Sequence, residues 1–304
     1  MRAFLGLVTI LAACGPTPTR QDQDVDAQPT PDSQVQPPVD TNSGPGCQAI
    51  DVLFVIDNSG SMGQEQTNLI ANFPGFIAVL EGSGLDYRVA VTTTGRDYNY
   101  TMTFPIGGGI PMSQTGGDNG TMLKSAAMTR RWIEKADADV SGTFSAVANV
   151  GVNGPSDEMP LSAMRDAFEE RLTDGTNAGF HRPEALLAIV MLTDEEDCSY
   201  EQSVTLGFSQ SLCDAQMEPV GNYVTFLDQY TGNRSRWATA VIAGPGPGAC
   251  SSDFGSADEA TRLKDFVTLT GPNAKFSSIC DGDLSLGLTQ ALELFESACG
   301  DILL

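Results

Sequence analysis

Asp57, Ser59 and Ser61 place one carboxylate and two hydroxyls at alternate positions, directly after one of the most apolar runs of the chain. That set suits a hard divalent cation, because Mg²⁺ takes oxygen ligands and keeps positions for water or a partner's oxygen. The competing reading is a helix cap, since Asp and Ser both accept hydrogen bonds from the first amides of a helix. A second aspartate favours the cation: Asp194 also ends an apolar run, Ala188-Ile189-Val190-Met191-Leu192-Thr193. Of the acids that follow it, Glu195, Glu196 and Asp197 read as a solvated rim, with Asp197 open to a second cation. Catalytic chemistry finds little footing. No Gly-x-Ser-x-Gly elbow surrounds Ser59, and an aspartyl phosphotransferase would need a carboxylate where Ser59 stands. The single histidine, His181, reads as a surface side chain. No enzyme is expected.

These side chains need strands that end at one edge. Val52 to Ile56 is apolar throughout, as in a strand buried on both faces of a parallel sheet. The ligands of open α/β sheets gather at the carboxyl ends of such strands. Helical spacing covers 64–80, where Gly82-Ser83-Gly84 stops it, and Pro160–Leu172, with proline in the first turn. Further helices are expected at 123–136, 223–230, 257–268 and 284–298, and strands at 87–94, 185–193, 237–243 and 275–279. Residues 143–150 fit either element. Gly-rich residues 95–122 predict a surface excursion with hairpin turns. The alternation makes the fold class α/β: a doubly wound, mostly parallel central sheet flanked by helices, with a disordered N-terminal tether.

Asp57-x-Ser59-x-Ser61 after one buried strand, with Asp194 ending another, resembles the metal-ion-dependent adhesion site of von Willebrand factor type A domains. The resemblance covers roughly residues 47–300. It implies that Ser59 and Ser61 bind the ion directly while Asp57 and Asp194 supply charge. The family places a threonine before a central helix; aligning Ala163-Met164 on the family's Ala-Leu puts Glu158 there, with Ser156 as the alternative. A carboxylate at that position favours tighter metal retention or Ca²⁺, and its bland reading is a first-turn acid favoured by the helix dipole. The resemblance implies a divalent cation, Mg²⁺ first and Ca²⁺ or Mn²⁺ as alternatives. It also implies a protein or matrix partner offering a carboxylate or other oxygen donor. Residues 179–183 and 194–199 are similar to segments of bacterial surface lipoproteins that carry this domain. Two other readings stay open: a metal-dependent hydrolase using an ion-activated water, and a structural envelope lipoprotein whose metal stabilises the fold.

The N-terminus predicts where such a protein works. Residues 1–13 combine a charged start with a short apolar run, a secretory signal too short to span a bilayer permanently. Leu11-Ala12-Ala13-Cys14 resembles the bacterial lipobox, which implies acyl chains, palmitate among them, on Cys14 and stable anchoring. Gly15 after it points by resemblance to the outer membrane of a Gram-negative-type envelope. Residues 14–46, rich in Pro, Gln and Asp, are expected to form a disordered linker, and 47–304 the folded domain. Sixteen basic against 39 acidic residues give a net charge of −23, which excludes nucleic acid as a partner; the membrane is reached through the lipid alone. Six cysteines remain for an oxidising compartment. Several connectivities are open to them, and the one expected is Cys47–Cys299, Cys198–Cys213 and Cys250–Cys280.

Overall fold

The computed structural model describes residues 47–200, 204–214 and 217–300. The expected signal segment 1–13, the Cys14 acceptor and the 14–46 linker lie outside the described residues. Every residue of β1 (Ala49–Ile56) is buried. Its side chains alternate between two cores, Val52, Phe54 and Ile56 on one side and Leu53 and Val55 on the other, as a strand period of two dictates. Helix α1 (Gly63–Ser83) follows, burying Leu69, Phe73, Phe76 and Leu80. It ends where Gly84 turns left-handed at φ 79°. Next come β2 (Asp86–Thr93), parallel to β1, and the antiparallel hairpin β3 (Tyr98–Thr103) and β4 (Gly109–Gln114).

The chain continues through β5 (Ile133–Glu134), α2 (Val140–Ala148), α3 (Pro160–Phe168) and the single turn α4 (Glu170–Thr173). Then β6 (Leu186–Leu192) pairs with the other side of β1. After β7 (Val204–Gly207) and α5 (Val220–Thr231) comes β8 (Trp237–Ala243). The small hairpin β9 (Cys250–Ser252) and β10 (Gly255–Ala257) precedes α6 (Thr261–Thr270), β11 (Ala274–Ser278) and α7 (Ser285–Gly300). The six-stranded sheet has the order β11-β8-β6-β1-β2-β5 and is parallel except for β5. Helices α1, α2 and α7 cover one face; α3, α5 and α6 cover the other. The order reverses between β1 and β6, so the crevice of this doubly wound sheet opens where Asp57 and Asp194 stand.

Three expectations need correction. Residues 123–136 form no helix: Arg130 holds Asp137 through both carboxylate oxygens at 2.6 and 2.7 Å, and Ile133–Glu134 pairs antiparallel on β2. The helix expected over 160–172 breaks at Glu169, where Asn177 Nδ2 takes the Ala167 carbonyl at 3.0 Å. The helix expected from 257 starts at Thr261, because 255–257 is a strand and the cap is Glu196, which accepts from the amides of Thr261 and Arg262 at 2.9 and 3.0 Å. The ambiguous 143–150 segment is helical as far as Ala148.

Disulfides join Cys47 to Cys299, Cys198 to Cys213 and Cys250 to Cys280. The first ties the entry to β1 to the end of α7. Gly120 sits at φ +73° so close to α3 that a Cβ there would lie 2.4 Å from the Ala167 nitrogen. Only glycine fits that turn. Among the described residues no helix is long and apolar enough to cross a membrane.

Candidate metal centre

Asp57 is fully buried one residue past β1. Its Oδ1 accepts the Ser59 amide at 2.7 Å and its Oδ2 accepts the Thr193 hydroxyl at 2.6 Å. Its own amide donates to the Leu192 carbonyl at 2.9 Å, so the ends of β1 and β6 are locked together. Gln66 Nε2 bridges the carbonyls of Asp57 and Gly151 at 2.9 and 2.8 Å. The loop so fixed brings the Ser59 and Ser61 hydroxyls to 3.1 Å. The cap reading fails, since α1 begins after Met62 with no side chain capping it.

Several carboxylates crowd around this loop. Glu158, fully buried at the start of α3, accepts from the Thr94 hydroxyl through Oε2, while its Oε1 has no hydrogen-bond partner. Asp194 is 3% exposed, and its Oδ1 is likewise unpartnered. Burial and then the charge of Asp57 push the Glu158 carboxyl up to about 9, with Glu195 and Asp194 adding to the effect. Burial raises Asp194 to about 7 against a lowering hydrogen bond from Ser61, and Asp57 and Glu65 repel it further. Glu195 rises to about 7 through burial and the charges of Asp57 and Asp194. A buried carboxylate oxygen without a donor is costly, and here the neighbouring charges have the same sign. This donor set, two hydroxyls among repelling carboxylates, fits a divalent cation. Ser59, Ser61, Asp194 and Glu158 are the side chains that would hold it, and Asp57 would act by shaping the loop and by its charge. Ser156 is exposed.

Two of the acids after Asp194 are not a solvated rim, while Glu195 stays half-exposed. Glu196 caps α6. Asp197 is fully buried, paired with Arg262 Nε at 3.0 Å, and accepts from the Leu161 amide at 3.2 Å. At Asp197 it is Arg262 that supplies the positive charge. His181 is not a plain surface residue either. Its Nδ1 lies 3.2 Å from the Tyr230 hydroxyl and its Nε2 is buried without a partner. Burial lowers its pKa to about 4. It precedes β6, at the sheet edge opposite Asp194.

Thr94, Thr193, Gln66 and Glu65 belong to this edge, although sequence reasoning did not name them. The threonines could have been noticed as the polar residues that end β2 and β6. Glu65 has no local signal beyond its place in the first turn of α1.

No protein-family model matches the chain, and no curated protein matches it by sequence. Among solved structures, proximal thread matrix protein 1 from the mussel byssus (crystal form 2) is similar at 11% identity and TM-score 0.42, over 82% of this chain and 49% of that one. The pilus adhesin SpaC from Lactobacillus rhamnosus GG, in its open conformation, is similar at 11% identity and TM-score 0.43, over 82% of this chain and 30% of that one. Another form of SpaC gives TM-score 0.46 over 82% and 31%. The chain thus spans less than half the length of these proteins, and likeness at this level does not bear on activity.

Proposed function

We propose that the chain is a von Willebrand factor type A domain that binds a protein or matrix partner at the cell surface through a divalent cation. The observation that carries this reading is the pair of buried, unpartnered oxygens, Glu158 Oε1 and Asp194 Oδ1, on carboxylates that the charge of Asp57 repels, with the Ser61 hydroxyl bonded toward Asp194 and 3.1 Å from that of Ser59. A bound cation would supply a Lewis-acidic position that a partner's carboxylate or other oxygen completes. The residues' part is to hold it: the hydroxyls add no charge, Glu158 and Asp194 offset the cation, and Asp57 keeps the loop rigid. A non-catalytic role is supported by the place of the sole histidine at the far edge of the sheet. Anchoring through acyl chains on Cys14 completes the proposal, and labelled palmitate should enter the wild type but not Cys14→Ser.

The test is capture of a partner from envelope extracts on the immobilised chain. Capture should occur with Mg²⁺ and vanish with EDTA. It should also vanish in Ser59→Ala plus Ser61→Ala with circular dichroism unchanged. Capture indifferent to both would reject the reading. The buried Glu158 carboxylate favours one rival, a cation that only stabilises the fold. That rival predicts a lower melting temperature on chelation with capture retained.

A further inference from the structure

We infer that the apex of the β3–β4 hairpin inserts into a neutral phospholipid bilayer, with Ile106 and Phe208 as the leading side chains. The strand registers build one apolar face. Met112 and Val204 flank Tyr100 on it, and Ile110 and Leu206 flank Met102. The protein's own core covers only the base of that face, where Met159, Tyr200 and Leu212 pack with Tyr98, Tyr100 and Val204. Towards the turn the cover stops. Ile106 is 95% exposed, Phe208 65%, Ile110 50% and Met112 41%, half of the exposed large apolar side chains among the described residues. The Phe104 and Phe208 rings lie 5.2 Å apart, so the turn after β3 and the end of β7 form one apolar knob. Contiguous exposed apolar surface marks a binding surface.

Charge decides what the knob meets. Residues 98–117 and 204–213 contain no charged side chain, in a chain that is 18% charged and carries −23. Charged groups are costly in hydrocarbon, and a stretch without any suits insertion at a bilayer surface. The net charge opposes anionic headgroups, which restricts the lipid to neutral or zwitterionic ones. A protein occupant fits less well. Three strands of at most six residues offer a face of roughly 14 by 20 Å at ordinary spacing and rise, part of it already covered. A stable dimer buries about 800 Å² on each partner. Pro111 also stands in β4, an open edge of this sheet, where proline discourages pairing with an added strand. Insertion needs no such area, since apolar side chains reaching about 5–10 Å into the headgroup boundary suffice. The contact is separate from the acyl anchor proposed at Cys14 and requires neither that anchor nor the cation.

The experiment uses the full chain with Cys14→Ser, so that no acyl chain contributes, and vesicles of brominated phosphatidylcholine. In Phe208→Trp the new indole should be quenched by the bromine and its emission should shift to the blue, beyond the signal of the parent chain with Trp132 and Trp237 alone. Adding Ile106→Asp should abolish both changes. Nothing packs over Ile106, so circular dichroism should stay the same. Raising the salt should leave the quenching intact, and phosphatidylglycerol should not increase it. An indole left unquenched, or quenching that survives Ile106→Asp, overturns the insertion. Quenching that grows with phosphatidylglycerol overturns it in favour of a charge-driven contact. A dimer in sedimentation that Ile106→Asp dissociates, with no quenching by vesicles, gives the face to a second copy and also overturns it.

Discussion

Glu158 adds a negative charge where Asp57, Asp194 and Glu195 already repel one another. Its folded-state pKa of about 9 lies above the ordinary 4.5. Between those values the folded, metal-free chain binds a proton that the unfolded chain has released, so stability falls as pH rises through that window. Asp194 acts with the same sign between 3.8 and about 7. A bound cation reverses the sign, because it favours the ionised carboxylates and competes with protons. Calorimetry of the stripped protein should therefore show a melting temperature that drops from pH 5 to pH 8, and Ca²⁺ should abolish the drop. Glu158→Gln should flatten the drop in the stripped protein and weaken Ca²⁺ binding at least tenfold. A stripped protein indifferent to pH, or a Glu158→Gln chain that binds Ca²⁺ normally, would take Glu158 out of the site.

Helices α3 and α6 meet at the site's edge through Asp197, which accepts from the Leu161 amide and pairs with Arg262. Removing a buried partner strands the other charge, at a cost of about 3–5 kcal/mol. Asp197→Ala should lower the urea midpoint accordingly, while a loss under about 1 kcal/mol would restore it to the solvated rim. The start of α3 is visible locally, from the proline in its first turn, but that of α6 is not, since its cap comes from the segment after β6. The same distance effect hid the α6 boundary, set by Glu196, and the α3 break, where Asn177 takes the Ala167 carbonyl. Strands β1, β6 and β8 were legible for the opposite reason. Each is buried along its whole length, so its apolar run needs no context. Asp57, Ser59, Ser61 and Asp194 were legible because they follow such strands. Glu65 was not, because its burial depends on Gly255, which the fold brings over it from far along the chain.

The molecule has two ends with different work, and its disulfides divide between them. Cys47–Cys299 lies before β1, and the candidate cation edge lies beyond the strand's other end, about 26 Å away at strand rise. This bond closes a sequence separation of 252, which restricts the unfolded chain by about 5 kcal/mol in the chain-entropy account. Cys198–Cys213 closes a separation of only 15, for about 3 kcal/mol, but the Cys198 amide donates to the Glu158 carbonyl at 2.8 Å. The two bonds should therefore have opposite effects. Cys47→Ala plus Cys299→Ala should cause the larger fall in melting temperature and leave Ca²⁺ affinity within twofold, because sites this far apart act independently. Cys198→Ala plus Cys213→Ala should cost less stability yet weaken Ca²⁺ several-fold by releasing the backbone that positions Glu158. Calorimetry and Ca²⁺ titration of both double variants decide the matter. Equal losses of affinity would mean that the two edges are coupled through the sheet, and that the staple at the chain's ends also shapes the site.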